Sequence, residues 1–214
     1  MKITIFGANG AIGKMVVQEA LTNGDHVVAY VRRNNALTIT HENLEIIVGN
    51  LDNETKIEEA IVNSDTVIST LGPSLDKSRK VKELPITSAH KSIITVMKRL
   101  NKKRFITLAT PTLKAKEDTS QLITILPSIM AKVLFPTGYQ EMKQIEPIIK
   151  TSNLDWTVVR IINPNVKYTG QTYDISFGNT KGKMNVSREN VAKCLYDAVR
   201  NNAYIHKMPI VFNK

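Results

Sequence analysis

The chain has 214 residues, of which 42% are hydrophobic and 22% charged, and its formal net charge is +10. This composition excludes a disordered protein and favours one globular domain over residues 1–214. No apolar run reaches membrane-spanning length and Cys194 is the only cysteine. We therefore expect a cytoplasmic protein with no membrane partner and no internal disulfide. The positive charge favours acidic small ligands, whereas the scattered lysines argue against nucleic acid. The oligomeric state is left open.

The first segment combines a strand, a glycine turn and a helix. Residues 3–6 form a short apolar run typical of a buried strand, and apolar residues recur at helical spacing over 12–21. Between them, Gly7 permits a sharp turn, Gly10 leaves room for a phosphate, and Gly13 lets the helix pack closely on the strand. The helix start attracts anions. A dinucleotide pyrophosphate is therefore expected here; the alternative is a tight turn without a ligand.

The second predicted strand spans residues 26–31, and two arginines follow it directly. NAD-binding proteins of this architecture place an acidic residue at this point to bond the ribose 2′-hydroxyl, whereas arginine suits the 2′-phosphate of NADP. Arg32 and Arg33 therefore indicate NADP(H) as the cofactor. The alternative is a solvated turn that is rich in cations.

Strands and helices continue to alternate along the chain. Further strands are predicted at residues 44–48, 65–71, 104–109, 155–161 and 208–212, the last as an edge strand. Further helices are predicted at residues 55–62, 85–100 and 138–151, between Pro127 and Pro136, and from an N-cap at Ser187. This alternation predicts an α/β protein with a Rossmann-type, doubly wound parallel sheet and helices on both faces.

Ligands of such sheets lie past the carboxyl ends of the strands. The cofactor is expected to contact the glycine turn and the ends of the second, third and fourth strands. The expected contact residues are Gly7, Asn9, Gly10, Ala11, Ile12, Gly13, Arg32, Arg33, Asn50, Leu51, Thr70, Leu71 and Gly72.

Two segments are assigned to the substrate side, as a small extension of the domain. Residues 112–138 begin charged, turn apolar and are expected to form a lid over the substrate. An ordinary packed helix with a mobile lead-in is the alternative. Residues 163–186 are rich in glycine and polar residues and are expected to form a hairpin.

Tyr139 and Lys143 are four residues apart, which places a phenol and an ammonium on one helix face. A nearby cation favours the phenolate, so the tyrosine could exchange a proton with a substrate. Thr110, which follows the fifth strand, could bond the same substrate oxygen. By spacing alone, an exposed surface pair is the better interpretation of the tyrosine and lysine. The histidines match no metal-ligand spacing, and no metal is expected.

Four segments resemble the atypical short-chain dehydrogenase/reductases, in particular the NmrA-like branch with NADPH-dependent flavin reductases and biliverdin-B reductases. These segments are residues 7–13, 31–32, 152–160 and 187–192. The resemblance implies a Rossmann fold, NADP(H) and hydride transfer to a flat acceptor. Three positions depart from the family pattern: Thr110 replaces a frequent serine, Ile161 replaces a proline, and Lys143 is displaced by one residue. Such a displacement turns a helix by about 100°, which could aim Tyr139 and Lys143 away from the crevice.

The sequence thus predicts an NADPH-dependent oxidoreductase that passes a hydride to a flavin or a similar planar, quinone-like acceptor. The alternative is a non-catalytic, NmrA-like redox sensor that binds NADP(H) and regulates a protein partner.

Overall fold

The computed structural model describes residues 1–33, 36–72, 83–180 and 182–214. The strands are β1 (Lys2–Phe6), β2 (His26–Val31), β3 (Leu44–Val48), β4 (Thr66–Ser69), β5 (Arg104–Ala109), β6 (Asp155–Arg160), β7 (Asn163–Val166), β8 (Tyr173–Ser176), β9 (Asn185–Ser187) and β10 (Ile210–Asn213). The helices are α1 (Gly13–Thr22), α2 (Glu54–Ile61), α3 (Pro85–Arg99), α4 (Leu122–Leu134), α5 (Pro136–Lys150) and α6 (Arg188–Arg200).

Eight of these strands form one sheet in the order β3-β2-β1-β4-β5-β6-β10-β8. All neighbours are parallel except β8, which runs antiparallel to β10. The order reverses at β1, so the carboxyl ends of β1 and β4 border a crevice where such sheets bind ligands. The predicted doubly wound α/β fold is confirmed.

Helices cover both faces of the sheet, and each face has its own apolar core. On one face α1 and α6 pack over β1 and β5, with Val16, Ile5 and Leu195 fully buried. On the other face α2, α3 and α5 enclose a second core that includes Phe105 and Met97. Strands buried on both sides explain the nearly continuous apolar runs of the sequence.

Two expectations for the C-terminal region are wrong. Residues 163–186 do not form a hairpin within the described part of the chain, because β7 pairs in parallel with β9 while β8 pairs with β10. β10 is therefore an interior strand, and β8 takes the sheet edge. Both pairings join segments that are distant in sequence, which local turn signals do not reveal.

The apolar segment before α5 is a longer helix than expected. Pro127 lies inside α4 instead of starting a helix. The helix still ends just before Pro136, as predicted. Within residues 1–33, 36–72, 83–180 and 182–214, no helix has the length and apolar character required to cross a membrane.

A buried histidine joins α3 to the sheet directly below the crevice. His90 is 1% exposed, and its Nδ1–H donates to the Ile86 carbonyl at 2.8 Å. Its Nε2 accepts from the Thr107 hydroxyl on β5 at 3.1 Å. Burial lowers the pKa of His90 to about 4, so the imidazole is neutral in the folded protein at neutral pH.

This histidine makes the stability of the fold dependent on pH. Because its folded pKa lies below the unfolded value, its contribution is complete above about pH 6.5 and falls as the pH drops toward 4. We expect the free energy of unfolding to fall by roughly 3 kcal/mol over that range through this group alone. In urea unfolding, the free energy of unfolding of His90→Gln should fall by roughly 3 kcal/mol less than that of wild type between these pH values. His26→Gln, at an exposed site, is the control; parallel profiles for wild type and His90→Gln would contradict the assignment.

Candidate functional site

A cavity of about 830 Å³ opens at the carboxyl ends of β1, β2 and β4. Eight of the expected cofactor contacts line it: Gly7, Asn9, Gly10, Arg32, Leu51, Thr70, Leu71 and Gly72. Within the described ranges, six further residues line the cavity: Tyr30, Glu83, Pro85, Ile86, Thr137 and Glu141. Its volume is in the range typical of ligand pockets.

The glycine turn that follows β1 forms one wall of this cavity. Gly7 has φ of +77°, a left-handed conformation that favours glycine. The Gly10 N–H donates to the Gly7 carbonyl at 2.9 Å, which closes the turn. Thr70 Oγ1, at the end of β4, lies 3.0 Å from the Phe6 carbonyl oxygen and 3.1 Å from that of Gly7. The threonine thus ties β4 to the turn, a structural role beyond the expected cofactor contact.

Gly13 and Gly10 lack side chains for different reasons. A Cβ on Gly13 would lie 2.1 Å from the Gly7 carbonyl oxygen, so this position must be glycine for α1 to pack on the turn. Among the described residues, a Cβ on Gly10 would meet that same oxygen, at 3.2 Å. Gly10 lines the cavity, whereas Gly13 is buried beneath it. The missing side chain at Gly10 lets a phosphate approach the backbone on the cavity side.

Tyr30, near the end of β2, also lines the cavity, and sequence reasoning did not select it. Its hydroxyl donates to the Asn50 carbonyl at 2.7 Å and so fixes the turn after β3. Burial, reinforced by Asp52 and Glu59, raises the pKa of Tyr30 to about 12, which keeps the phenol protonated. A Cβ on Gly49 would collide with this hydroxyl. The sequence feature that could have indicated this role is a tyrosine near the end of a buried strand.

The two arginines after β2 differ in position. Arg32 is exposed at the cavity wall, where its guanidinium can reach a ligand. Arg33 is also exposed but is not among the lining residues. Four other expected contacts are likewise absent from the cavity wall: Ala11, Ile12, Gly13 and Asn50.

Glu141 was also missed by sequence reasoning, although it lies between the two predicted catalytic residues on α5. It is 2% exposed, and its carboxylate accepts from the backbone N–H groups of Ile86 and Thr87 at 2.9 and 2.6 Å. The Thr87 hydroxyl also donates to this carboxylate. α3 has no capping side chain of its own. Glu141 therefore caps α3 from a neighbouring helix and fixes one side of the cavity.

Because Glu141 faces the cavity, the geometry of α5 determines which of the residues near it on this helix also face the cavity. Residues two apart on a helix point about 200° apart, whereas residues four apart share a face. Thr137 and Glu141 both line the cavity, and Tyr139 and Lys143 do not. Tyr139 is half-buried, and the exposed Lys143 Nζ lies 3.9 Å from Glu146.

Thr110 follows β5 and is half-buried. Its hydroxyl oxygen accepts from the Thr112 N–H at 3.4 Å, and it does not line the cavity. The structure thus does not bring Thr110, Tyr139 and Lys143 together in the cavity. Their catalytic role stays a prediction.

Known proteins with this fold include one that holds the expected cofactor. A short-chain dehydrogenase/reductase from Veillonella parvula in complex with NADP superposes with a TM-score of 0.79, at 23% identity over 99% of this chain and 94% of that chain. The anaerobilin reductase ChuY from Escherichia coli O157:H7 superposes with a TM-score of 0.78, at 19% identity over 99% of this chain and 97% of that one. At these identities the likeness shows the fold.

Sequence comparison adds a shorter match and a family. Phenylcoumaran benzylic ether reductase 1 from Arabidopsis thaliana is 36% identical over 84 residues, which are 35% of this chain and only 27% of that relative. The profile of the NAD(P)H-binding family matches residues 7–202, nearly the whole chain. The chain therefore belongs to the NAD(P)H-binding family, and its fold is that of solved short-chain dehydrogenase/reductases.

Proposed function

We propose that the protein is an NADPH-dependent reductase that passes a hydride to a flavin or a similar planar, quinone-like acceptor. The observation that supports this most is the cavity itself, with a side-chain-free phosphate cradle at Gly10 and a guanidinium at Arg32 on its wall. Dinucleotide binding needs both features, a backbone anion site and a recognition group for the ribose.

Each part of the cavity would hold a different part of the cofactor. The pyrophosphate would lie against Gly7 and Gly10 at the amino end of α1, where the helix dipole favours an anion. The first turn of α1 carries no acidic residue that would oppose it. Arg32 would bind the 2′-phosphate, and Leu51 would contact the adenine side. When bound, NADPH supplies the hydride, so the protein contributes position and electrostatics.

The planar acceptor is supported by the family resemblance and by the anaerobilin reductase of the same fold. Residues of α3 and α5 line the same cavity, so a flat acceptor would bind there beside the cofactor. The test is NADPH oxidation followed at the nicotinamide absorbance with separate flavin, quinone and aldehyde acceptors. Turnover with flavins or quinones is expected. Binding of NADPH without turnover of any acceptor would favour the redox-sensor alternative.

The two arginines should set the choice of cofactor. A guanidinium can bond a phosphate at two points, and each charge-assisted bond contributes roughly 1.5–3 kcal/mol. We therefore expect NADPH to bind at least about tenfold tighter than NADH, with the gap narrowing at high salt. Arg32→Ala with Arg33→Ala should nearly erase the gap in paired titrations. Because only Arg32 lines the cavity, Arg32→Ala alone should have most of that effect. Equal wild-type affinities would show that the arginines form only a solvated turn.

Tyr139→Phe tests whether the reaction needs the predicted proton donor. Because Tyr139 does not line the cavity, we expect the variant to retain turnover with a flavin and to bind NADPH normally. If Tyr139 donates the proton in catalysis, turnover should instead fall by roughly two orders of magnitude. In the first case, Thr110→Val becomes the next variant to measure, with kcat and KM determined separately.

A further inference from the structure

Helix α4 is oriented with its apolar side toward solvent. Seven large apolar side chains are exposed on it, and they are called the outer face of α4: Leu122, Ile125, Leu126, Ile129, Met130, Val133 and Leu134. Leu122 is 81% exposed and Val133 is 69% exposed. At 100° per residue, these positions span about half of the helix circumference.

Small and polar side chains occupy the side of α4 that faces the protein. Thr124 is 6% exposed, and Ser128 and Ala131 are half-buried. This is the reverse of an ordinary surface helix, which packs its apolar side on the core. Contiguous exposed apolar patches mark interaction sites. No other residue in the described ranges covers the outer face of α4, so we expect an occupant from outside them.

Charge indicates which occupant fits. Residues 119–140 contain no Asp or Glu, and Lys132 is the only charged residue among them. The neighbouring α5 carries the exposed Lys143, whose Nζ lies 3.9 Å from Glu146. The acidic side chains on the flanking segments are buried or paired with cations: Glu117 with Lys207, Asp118 with Arg160, Glu146 with Lys150, and buried Glu141. The segments that adjoin α4 along the chain are therefore neutral to positive in net charge.

We propose that the outer face of α4 docks on an anionic lipid surface. An anionic bilayer attracts a chain of net charge +10, whereas a second copy of the same chain would be repelled. A 13-residue helix is about 20 Å long and lies in the interface with one apolar face buried. This goes beyond the proposed function and revises the expectation that the protein has no membrane partner.

Vesicle flotation tests the proposal without reference to catalysis. The wild-type chain is mixed with phosphatidylcholine vesicles, or with vesicles containing about one third phosphatidylglycerol. We expect at least roughly tenfold tighter binding to the anionic vesicles, weakened by salt. Leu126→Glu with Ile129→Glu should lose that binding at least about tenfold. The matched control is Ile46→Glu with Val62→Glu, at two other exposed apolar positions, and it should bind as wild type does. Thermal unfolding checks that both variants are folded.

Three results would overturn the proposal. The first is wild-type protein that stays unbound with both vesicle types. The second is equal loss of binding in the α4 variant and in the control. The third is a wild-type dimer that ignores vesicles and becomes a monomer in the α4 variant, because the outer face would then be a contact between copies.

Discussion

Gly10→Val is expected to weaken NADPH binding by at least roughly a hundredfold while leaving the fold intact. A branched side chain at this position would occupy the space above the turn that the pyrophosphate needs. Loss of two charge-assisted bonds from backbone N–H groups removes about 3 kcal/mol or more, which is roughly a hundredfold in affinity. The fold should tolerate this change better than one at Gly13, because among the described residues the Cβ meets the Gly7 carbonyl oxygen at 3.2 Å, which a small backbone shift relieves. Calorimetric titration with NADPH measures the loss.

Gly13→Ala is the informative comparison for this variant. Its Cβ would lie 2.1 Å from the same oxygen, so we expect a large fall in the unfolding temperature. Gly10→Val should unfold within a few degrees of wild type. Unchanged NADPH affinity in a folded Gly10→Val protein would remove the dinucleotide assignment of the cavity.

Asp118→Ala is expected to destabilise the protein by about 3–5 kcal/mol, because it leaves a buried charge without its partner. Arg160 is fully buried on β6, and its guanidinium bonds both carboxylate oxygens of Asp118 at 2.6 and 2.7 Å. The Arg160 guanidinium also donates hydrogen bonds to the backbone carbonyls of Leu113 and Met208. The pair anchors the segment between β5 and α4 to the sheet, so its loss should also loosen that segment.

An exposed ion pair provides the control. Lys56 lies 2.7 Å from Glu59, with side chains 43% and 51% exposed, and Lys56→Ala should cost less than about 1 kcal/mol. Urea unfolding of both variants gives the comparison. Similar small losses in the two variants would mean that the Arg160–Asp118 pair does not hold the segment.

Most of the sheet could be predicted from sequence, because the pattern that identifies each strand lies within a few consecutive residues. Each of β1 to β6 is a short apolar run between turn residues, and right-handed crossovers leave few ways to order them. The β8–β10 and β7–β9 pairings could not be predicted this way, because their partners lie far apart in sequence. No short-range pattern specifies such pairs.

The glycine turn and Arg32 could be predicted because their chemistry is tied to spacing along one strand-turn-helix unit. Glu141 could not, because its partners on α3 lie 54 and 55 residues away. The contact between Glu141 and α3 also fixes the rotation of α5 about its own axis. The sequence did not determine this rotation, because the Tyr139 and Lys143 pattern is displaced by one residue from the family pattern. The outward orientation of α4 also depends on tertiary packing, since a hydrophobic pattern alone does not tell which side is covered.

Single-turnover stopped flow with a flavin acceptor tests hydride transfer most directly, because it isolates the chemical step from product release. The protein is loaded with NADPH, or with NADPH deuterated at nicotinamide C4, and mixed with riboflavin. We expect the flavin to be reduced, deuterium to slow its reduction, and Gly10→Val to show no such phase. Tight NADPH binding with no flavin reduction, or reduction with no isotope effect in the observed phase and no dependence on Gly10, would contradict the proposed hydride transfer.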